Sequence, residues 1–560
     1  PQSLVACEEF IPLISAYSRS HFSMQERVLK FLDESKQQQV AEMLPYLSKL
    51  IATCRNPDGS LKLPKATLLF NRKWALLYNH NSIKEQTTLI GYSENISDIA
   101  HMHITGHPLA SPLVKSTRYV LFEKELGVED PDITSLPMAR ECLEYVNYMS
   151  KRYIEVTQTL AEFVYNHKYT KRVVEFLKKP ENVERALQKW VNEQTMLNKG
   201  QVPSPKAIEE QRKRILSNLE EGRVFDDIKK FVLDYSRVYL LSSIKTSIGY
   251  SLSARTLADI IPSMISNPRK EDRERGYAIW REARKISPVI LSEEAFGESE
   301  YKRRVEGELR EWMEARFKGL MEYEQNPTPL NLITPSKIRM DTDRFNAALV
   351  VFPFVDAPLE KIYKSLTKED IQQVLAVAHK YRGNSPHLFD AITHTGLLIE
   401  VVMPWHAYRD IFRHRRGSRS MQLLTTRLGY EVPEIFVSAG IVEEYKRDME
   451  RAMEIYEGVR KINPRVAEKL VPFGFRVRAL HSWHPLQISY VVNLRGDISK
   501  GNRSYVMFAR SLKQEFARVF PETAKYFVVD TREYPAELWK KGYRWWDTEG
   551  IHIFKENETG

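Results

Sequence analysis

The chain has 560 residues, of which 42% are hydrophobic and 28% charged, with a formal net charge of +10; this is enough apolar material for at least two buried cores. No apolar run approaches the roughly 20 residues that a membrane-spanning helix needs, and no basic stretch followed by a hydrophobic segment opens the sequence, so a cytoplasmic location is expected. The three cysteines, Cys7, Cys54 and Cys142, are too few and too scattered for a disulfide framework or a four-ligand metal site, so redox chemistry would need a bound cofactor.

In chain order, KATLLFNRKWALL (65–77) reads as a strand from its apolar and aromatic run. Tyr78-Asn79-His80-Asn81-Ser82 follows, with Glu85 three residues on. His101 and His103 have the spacing of a strand-borne metal pair, but no third ligand lies close in sequence and no metal is expected. GHPLASPLVKSTRY (106–119) places His107 four residues before Ser111 and ends on Ser116-Thr117-Arg118-Tyr119. Residues 151–230 carry HKYTKR, FLKKP, QRKR and DDIKK among glutamates, with Val173, Val174, Phe176 and Leu177, then Ile215, Leu219, Phe225 and Ile228 at helical spacing. They read as a solvated basic helical insertion. A nucleic-acid arm is less favoured, because no aromatic side chains are interleaved for base stacking.

Ser253-Ala254-Arg255 precedes a stretch, 326–339, in which NPTPLNLITPSK holds three prolines and few charges and suits an ordered connector. RFNAALVVFPF (344–354) reads as a strand, and Tyr381-Arg-Gly-Asn-Ser385 repeats the Tyr-x-x-Asn-Ser phrase of residues 78–82. His394 and His406 lie on apolar stretches and read as satisfied core histidines. The densest chemistry comes next. Arg413-His414-Arg415-Arg416-Gly417-Ser418 sets four cationic or imidazole side chains ahead of a hydroxyl, with Asp410 before them and Thr425, Thr426 and Arg427 behind. Arginine suits an anion site because its planar fork offers two donors and keeps its charge when buried. PLQISYVVNL (485–494) fits a strand or the start of a helix. It contains the start of Asn493-Leu494-Arg495, and Gln514-x-x-x-Arg518 follows; Trp539, Trp545 and Trp546 read as packing anchors.

The segment 413–427 resembles the signature of the flavin-dependent thymidylate synthases, in which RHR, two residues and Ser are followed by x-Asn-Glu-x-Ser-x-Arg. Arg413, His414, Arg415 and Ser418 match; Ser420-Met421 stands where Asn-Glu belongs, and Thr425-x-Arg427 closes the pattern two residues late. GHPLASPLVKSTRY is similar to a second copy, with Gly106 and Pro108 replacing the flanking arginines. The phrases at 78–85 and 381–385 resemble the family's upstream Tyr-Gly-His-x-Ser-x-x-Glu, and Asn493-x-Arg495 and Gln514-x-x-x-Arg518 its downstream motifs, with Ser253-Ala254-Arg255 a weaker echo. Four phrases in one order, twice, point to an internal duplication. The expected fold is α+β, two tandem copies of a sheet with packed helices: residues 1–325, enlarged by the insertion, a connector at 326–339, and residues 340–560.

The resemblance implies FAD as cofactor, with a dUMP-like nucleotide, methylenetetrahydrofolate and a reduced nicotinamide nucleotide as substrates, for reductive methylation of the pyrimidine. It implies flavin contacts from Arg413, His414, Arg415, Ser418, His80 and Ser82, and nucleotide contacts from Arg427, Arg495, Gln514 and the position held by Asp410, where the family has a base-reading Gln. Arg518 and Thr425 fall at catalytic positions. Minimal family members are homotetramers, so a fused pair implies a homodimer of pseudo-tetrameric symmetry. Two alternatives stay open: an active flavoenzyme, or a catalytically silent paralogue that binds flavin, nucleotide or nucleic acid in a structural or regulatory role.

Overall fold

The computed structural model describes residues 56–57, 60, 62–63, 65–77, 81–123, 129–166, 175, 178–197, 200–217, 223–292, 329–333, 342–351, 359–379, 396–497 and 503–529. It opens with helix α1 (Lys65–Asn71), which continues as a π-helical stretch over Arg72–Leu77 and leads to a short helix, Asn81–Glu85. Then come β1 (Thr88–Ser97), α2 (Met102–Thr105), β2 (Ser111–Val114), α3 (Ala139–Asn166), α4 (Pro180–Leu197), α5 (Pro205–Ser217), α6 (Arg223–Ser236), β3 (Lys245–Ser253), α7 (Ala254–Ile265) and α8 (Lys270–Ile286). After β4 (Leu330–Ile333), α9 (Thr342–Val351) and α10 (Lys368–His379), the order is β5 (Leu397–Pro404), α11 (Trp405–Phe412), β6 (Ser418–Met421), α12 (Val442–Ile462), β7 (Arg476–Trp483), α13 (Pro485–Gly496) and α14 (Arg503–Val519). The molecule is α+β, with two small antiparallel sheets among many helices.

Strand order is β1-β3-β2 in one sheet and β4-β5-β7-β6 in the other. Setting β4 and the helices α4, α5 and α6 aside, a strand–helix–strand, long helix, strand–helix–helix order runs through both halves. The caps correspond too: Ser253 Oγ accepts the Thr256 amide at the start of α7, and His484 Nδ1 accepts the Gln487 amide at the start of α13. Where the halves meet, Leu241 bridges Pro472, the Ser242 amide donates to the Val471 carbonyl (3.1 Å) and the Phe473 amide donates to the Leu240 carbonyl (2.8 Å).

The larger core draws on both halves. The 28-residue helix α3 buries Tyr145, Met149, Tyr153, Val156, Leu160 and Val164 along one stripe, the three-to-four spacing of an amphipathic helix, against α6, α12 and residues following β6. A smaller core lies under β1 and β3 and is closed by α7 and α8.

Several sequence expectations change here. KATLLFNRKWALL and the described part of RFNAALVVFPF, 344–351, are helical rather than strands. In the second case Ala347, Ala348, Leu349 and Val350 are all buried, and a helix covered on all sides produces the same unbroken apolar run as a buried strand. PLQISYVVNL is helix α13, started by Pro485 at its first position, where no amide is needed. Residues 151–166 belong to α3 and the shared core, so among the described residues the exposed helical excursion is α4 and α5; α5 buries nothing. The proline-rich connector contributes β4, which pairs with β5 from Leu330 opposite Val401 to Ile333 opposite Leu398. His101 and His103 flank and enter a helix, and each has its own partners: Asp98 (3.3 Å) for His101, Asp272 (2.8 Å) and Ser263 (3.0 Å) for His103. His394, Trp539, Trp545 and Trp546 lie outside the described residues.

Candidate functional site

The two resembling segments, far apart in sequence, meet. After β5, the helix α11 is buried along its length, and the chain leaves it through Arg413–Arg416 into β6. Gly417 permits that exit: its φ is +109°, and a Cβ there would collide with the Ser482 carbonyl on β7. On the other side lies 106–110. Gly106 lets the Phe412 ring approach to where a Cβ would sit 2.9 Å away. Arg415 Nη1 donates to the Ala110 carbonyl, and Arg419 Nη2 donates to the Gly106 carbonyl while its guanidinium lies 4.1 Å above the Phe412 ring. Arg419 Nη1 also caps α11 through the Phe412 carbonyl (2.8 Å). Burial lowers the Arg419 pKa to about 10.

Behind this contact sits an ionic cluster centred on Asp410, itself buried. Arg237 and Arg413 each place a guanidinium nitrogen 3.9 Å from its carboxylate, and Arg495 Nη2 donates to its backbone carbonyl (3.0 Å). Burial would raise the Asp410 pKa; Arg495, Arg413, Arg118 and Arg237 outweigh it and hold the carboxyl well below the usual range. Arg118 pairs with Asp234 (3.1 Å), as does Arg237 (3.0 Å), and Arg118 and Arg495 both face the Tyr505 ring, at 5.9 and 5.5 Å. His414 is buried, and its Nε2 accepts from Arg495 Nε (3.0 Å). Burial, with Arg495 beside it, depresses its pKa well below the imidazole range, so the ring is neutral with its proton on Nδ1. Deeper still, Tyr408 meets His481 Nε2 at 3.2 Å, and burial pushes the His481 pKa down to about 3.

The expected residues are therefore only partly assembled. Arg413, His414, Arg415, Asp410 and Arg495 converge, and Ser418 is exposed at the start of β6 beside them. Arg427 does not join Asp410: Glu457 holds it by two bonds, Nε at 2.6 Å and Nη2 at 2.8 Å. Thr425 accepts the Arg427 amide (3.1 Å), which makes it part of that same turn. Arg518 is 74% exposed and pairs with Glu515 (2.8 Å), and Gln514 is exposed on the same helix. Arg518 lies thirteen residues beyond Tyr505 on α14, about 20 Å along the axis and on another face. His80 is outside the described residues, as is 381–385; Ser82 lies in the helix Asn81–Glu85, and its side chain is not described. Ser253-Ala254-Arg255 starts α7, whereas Asn493-Leu494-Arg495 ends α13, so the two are not counterparts.

Arg118 and Arg237 stand at Asp410, while Arg427, expected as a nucleotide contact, is held by Glu457. Arg118 had a visible signal, since it closes the motif of the first half; Arg237 had none. The same three-residue device recurs around Arg427, where Glu457 also faces Arg460 at 3.8 Å. What the site presents outward is Arg413, 47% exposed, with Arg416 and Ser418, a donor set suited to an anionic group. Behind it, His414 and Arg495 form a fixed, neutral-plus-cation pair.

A second ionic cluster was invisible in the sequence. Asp130, Asp132 and Glu271 bring carboxylate oxygens within 4.8 Å of one another, a ligand set for a cation. The cations present are lysines. Lys469 Nζ donates to Asp130 (2.8 Å), Asp132 (2.7 Å) and Glu271 (2.8 Å), and Lys245 Nζ to Asp130 (2.8 Å) and Glu271 (2.7 Å). Burial would lower the Lys469 pKa, but the three carboxylates raise it and keep the ammonium charged.

No family model matches the chain. Over 297 residues, 52% of the chain and 56% of the relative, it is 24% identical to a UPF0159 protein of Chlamydia muridarum (strain MoPn / Nigg). It is likewise 24% identical over 308 residues, 53% of the chain and 56% of the relative, to a UPF0159 protein of Chlamydia pneumoniae. These matches span about half the length of the chlamydial relatives. A UPF0159 protein of Thermoplasma acidophilum is 22% identical over 482 residues, 83% of the chain and 89% of the relative. Among solved structures, a UMP/dUMP methylase from Streptomyces cacaoi bound with 5-Br dUMP is 15% identical, with 37% of this chain and 97% of that one covered at a TM-score of 0.28. The chain is thus similar in sequence, at 22 to 24% identity, to UPF0159 proteins of bacteria and an archaeon.

Proposed function

We propose that this chain is an internally duplicated, divergent relative of the flavin-dependent thymidylate synthases that binds FAD and a dUMP-like nucleotide at the Asp410 cluster. The observation that carries the proposal is the contact between 106–119 and 410–419: two segments with one motif, one from each half, meet around a shared set of guanidinium groups. The parallel order of elements in the halves and the Leu241–Pro472 bridge between them support the duplication. The site is accordingly composite, with Arg118 and Arg237 from the first half and Asp410, Arg413, His414 and Arg495 from the second.

The exposed donors fit the phosphates of FAD: Arg413, Arg416 and Ser418 would hold them. Bound there, the flavin would supply the redox step between a reduced nicotinamide nucleotide and the one-carbon unit of methylenetetrahydrofolate. The chain's own part is orientation and charge. Arg495 and Arg118 stand ready to stabilise negative charge developing on a pyrimidine, as preorganised donors cost no reorganisation. His414 is a fixed neutral group that holds Arg495 in place. A homodimer would give the fused copies the pseudo-tetrameric arrangement that the duplication implies.

One observation favours a second reading. Asp410 already supplies the negative charge that this cluster would otherwise take from a ligand, as expected of a silent paralogue that keeps the fold and a residual affinity. The purified protein should be titrated with FAD and followed by its visible spectrum, then assayed for tritium release from the ring 5-position of labelled dUMP with both co-substrates. About one flavin per chain with tritium release supports the enzyme. Flavin without release from any pyrimidine nucleotide selects the silent paralogue, and no flavin binding overturns both forms of the flavin proposal.

A further inference from the structure

The two sheets differ at one edge, and the difference leaves a slot. In the second half, β4 lies on the outer edge of β5, pairing with Leu398, Ile399, Glu400 and Val401. Comparing how β1 pairs with β3 and how β5 pairs with β7, the counterparts of those four residues are Ile90, Gly91, Tyr92 and Ser93. These four, with Leu89 and Glu94, line a cleft of ≈ 530 Å³ walled on the other side by α8. Among the described residues, no other strand pairs with this edge of β1. Ile90 is 43% and Tyr92 54% exposed, an apolar edge of the kind that recruits another strand. Further along, where β1 bulges between Ser93 and Ile96, Arg275 donates to the Asn95 carbonyl. That bond satisfies an outward carbonyl that an entering strand could not reach if it lacked an amide there.

We propose that this cleft is a strand-docking groove and that its occupant comes from this same chain, from the Phe10-Ile11-Pro12-Leu13-Ile14 stretch. Three points select it. In the second half the edge strand is supplied by residues that precede the sheet, and residues 1–55 precede β1 in the same way. The stretch is apolar and rich in β-branched residues, as an edge strand beside Ile90 and Tyr92 requires. It also repeats the Pro329-Leu330 step of β4: Leu330 lies opposite Val401, and the Val402 amide donates to the Pro329 carbonyl (2.8 Å). Proline is tolerated on an edge strand, and Pro12 would offer no amide near Glu94 and Asn95, the point where Arg275 already serves. By this register Leu13 sits opposite Ser93. Docking there would brace β1, and through α2 the 106–110 segment that Arg415 and Arg419 grip, so the inference bears on the composite site without depending on flavin.

The test is a pair of cysteines, Leu13→Cys with Ser93→Cys, in a full-length background carrying Cys7→Ser and Cys54→Ser. The counterpart positions form a non-hydrogen-bonded pair, whose Cα atoms lie about 4.5 Å apart, within disulfide range. Leu330→Cys with Val401→Cys is the positive control. Mild oxidation should give an intramolecular bond, mapped by peptide mass, at least about tenfold faster than Leu13→Cys with Gly91→Cys, which is out of register. A bond between chains would make a second copy the occupant and overturn the assignment, as would oxidation no faster than the out-of-register pair. Hydrogen exchange on the unmodified protein gives an independent readout: protection across 90–93 comparable to 398–401 is expected, and an unprotected edge overturns the proposal whatever the cysteine variants do.

Discussion

Two ionic clusters join the halves of this molecule, and they are built inside out from one another. At Asp410 a carboxylate is ringed by guanidinium groups; at Lys469 an ammonium is ringed by carboxylates. The lysine cluster is closed. Lys469 is fully buried and each of its contacts is short, so every charge has a partner and nothing faces outward. The arginine cluster is open: Arg237 and Arg413 stand 3.9 Å off the carboxylate, and Arg413 reaches solvent. A compact ammonium suits a structural plug, whereas forked guanidiniums can hold an internal counter-ion and still offer donors to a ligand.

Removing the plug should do the most damage. Lys469→Met leaves Asp130 and Glu271 sharing only Lys245 and takes the lysine partner from Asp132, and breaking a buried pair from one side costs about 3–5 kcal/mol. Urea unfolding should show a loss near the top of that range; a loss below about 1 kcal/mol would mean that the carboxylates take up water or a cation and the cluster is not closed. Asp410→Asn should cost less, about 2–3 kcal/mol, because its partners are partly solvated. The same variant should bind inorganic phosphate more tightly than the parent, read by calorimetry. If phosphate affinity does not rise, Asp410 is not standing in for a ligand.

Acid sharpens the comparison in another way. The unfolded chain protonates His481 near pH 6.5, while the folded protein resists until about pH 3. Its contribution is therefore complete above pH 6.5 and is lost as pH falls toward 3, with about 2 kcal/mol gone between pH 6.5 and 5. His481→Gln should flatten the stability profile over that interval, and an unchanged slope would mean that the imidazole is not buried as described. Arg413→Ala should leave stability within about 0.5 kcal/mol but weaken FAD or nucleotide binding about tenfold in a titration. Arg518→Ala should change neither measurably; a clear loss of nucleotide affinity would place its exposed guanidinium in a site shared with another chain.

The α+β class and the cation-dense stretch 413–416 were legible in the sequence, because each rests on local pattern. The sequence misassigned 344–351 because a short apolar run carries no periodicity that separates a buried helix from a strand, and 65–77 because apolar content alone does not mark a strand when residues such as Leu69 and Leu77 are exposed on a helix. Thr425-x-Arg427 looked like the anion partner of Arg413 because it follows it in the chain, yet Glu457 occupies it and Arg118 stands at Asp410 instead. Which side chains meet at Asp410 is decided by how the halves dock, and docking leaves no trace in spacing. The meeting of Arg237 with Asp410 and the Lys469 cluster were missed likewise, since the groups that come together there lie far apart in the chain.

The bond from Lys469 to Asp130 spans 339 residues of chain, and the one from Arg409 to Asp98 spans a similar separation. During synthesis, α3 and its apolar stripe emerge long before the residues of α12 that, with α6, cover them. The first half therefore waits, with much of its core uncovered, until nearly the whole chain has been made. Long-range contacts of this kind slow folding and leave surface open to aggregation. The maturation of the first half is thus tied to the translation of the second.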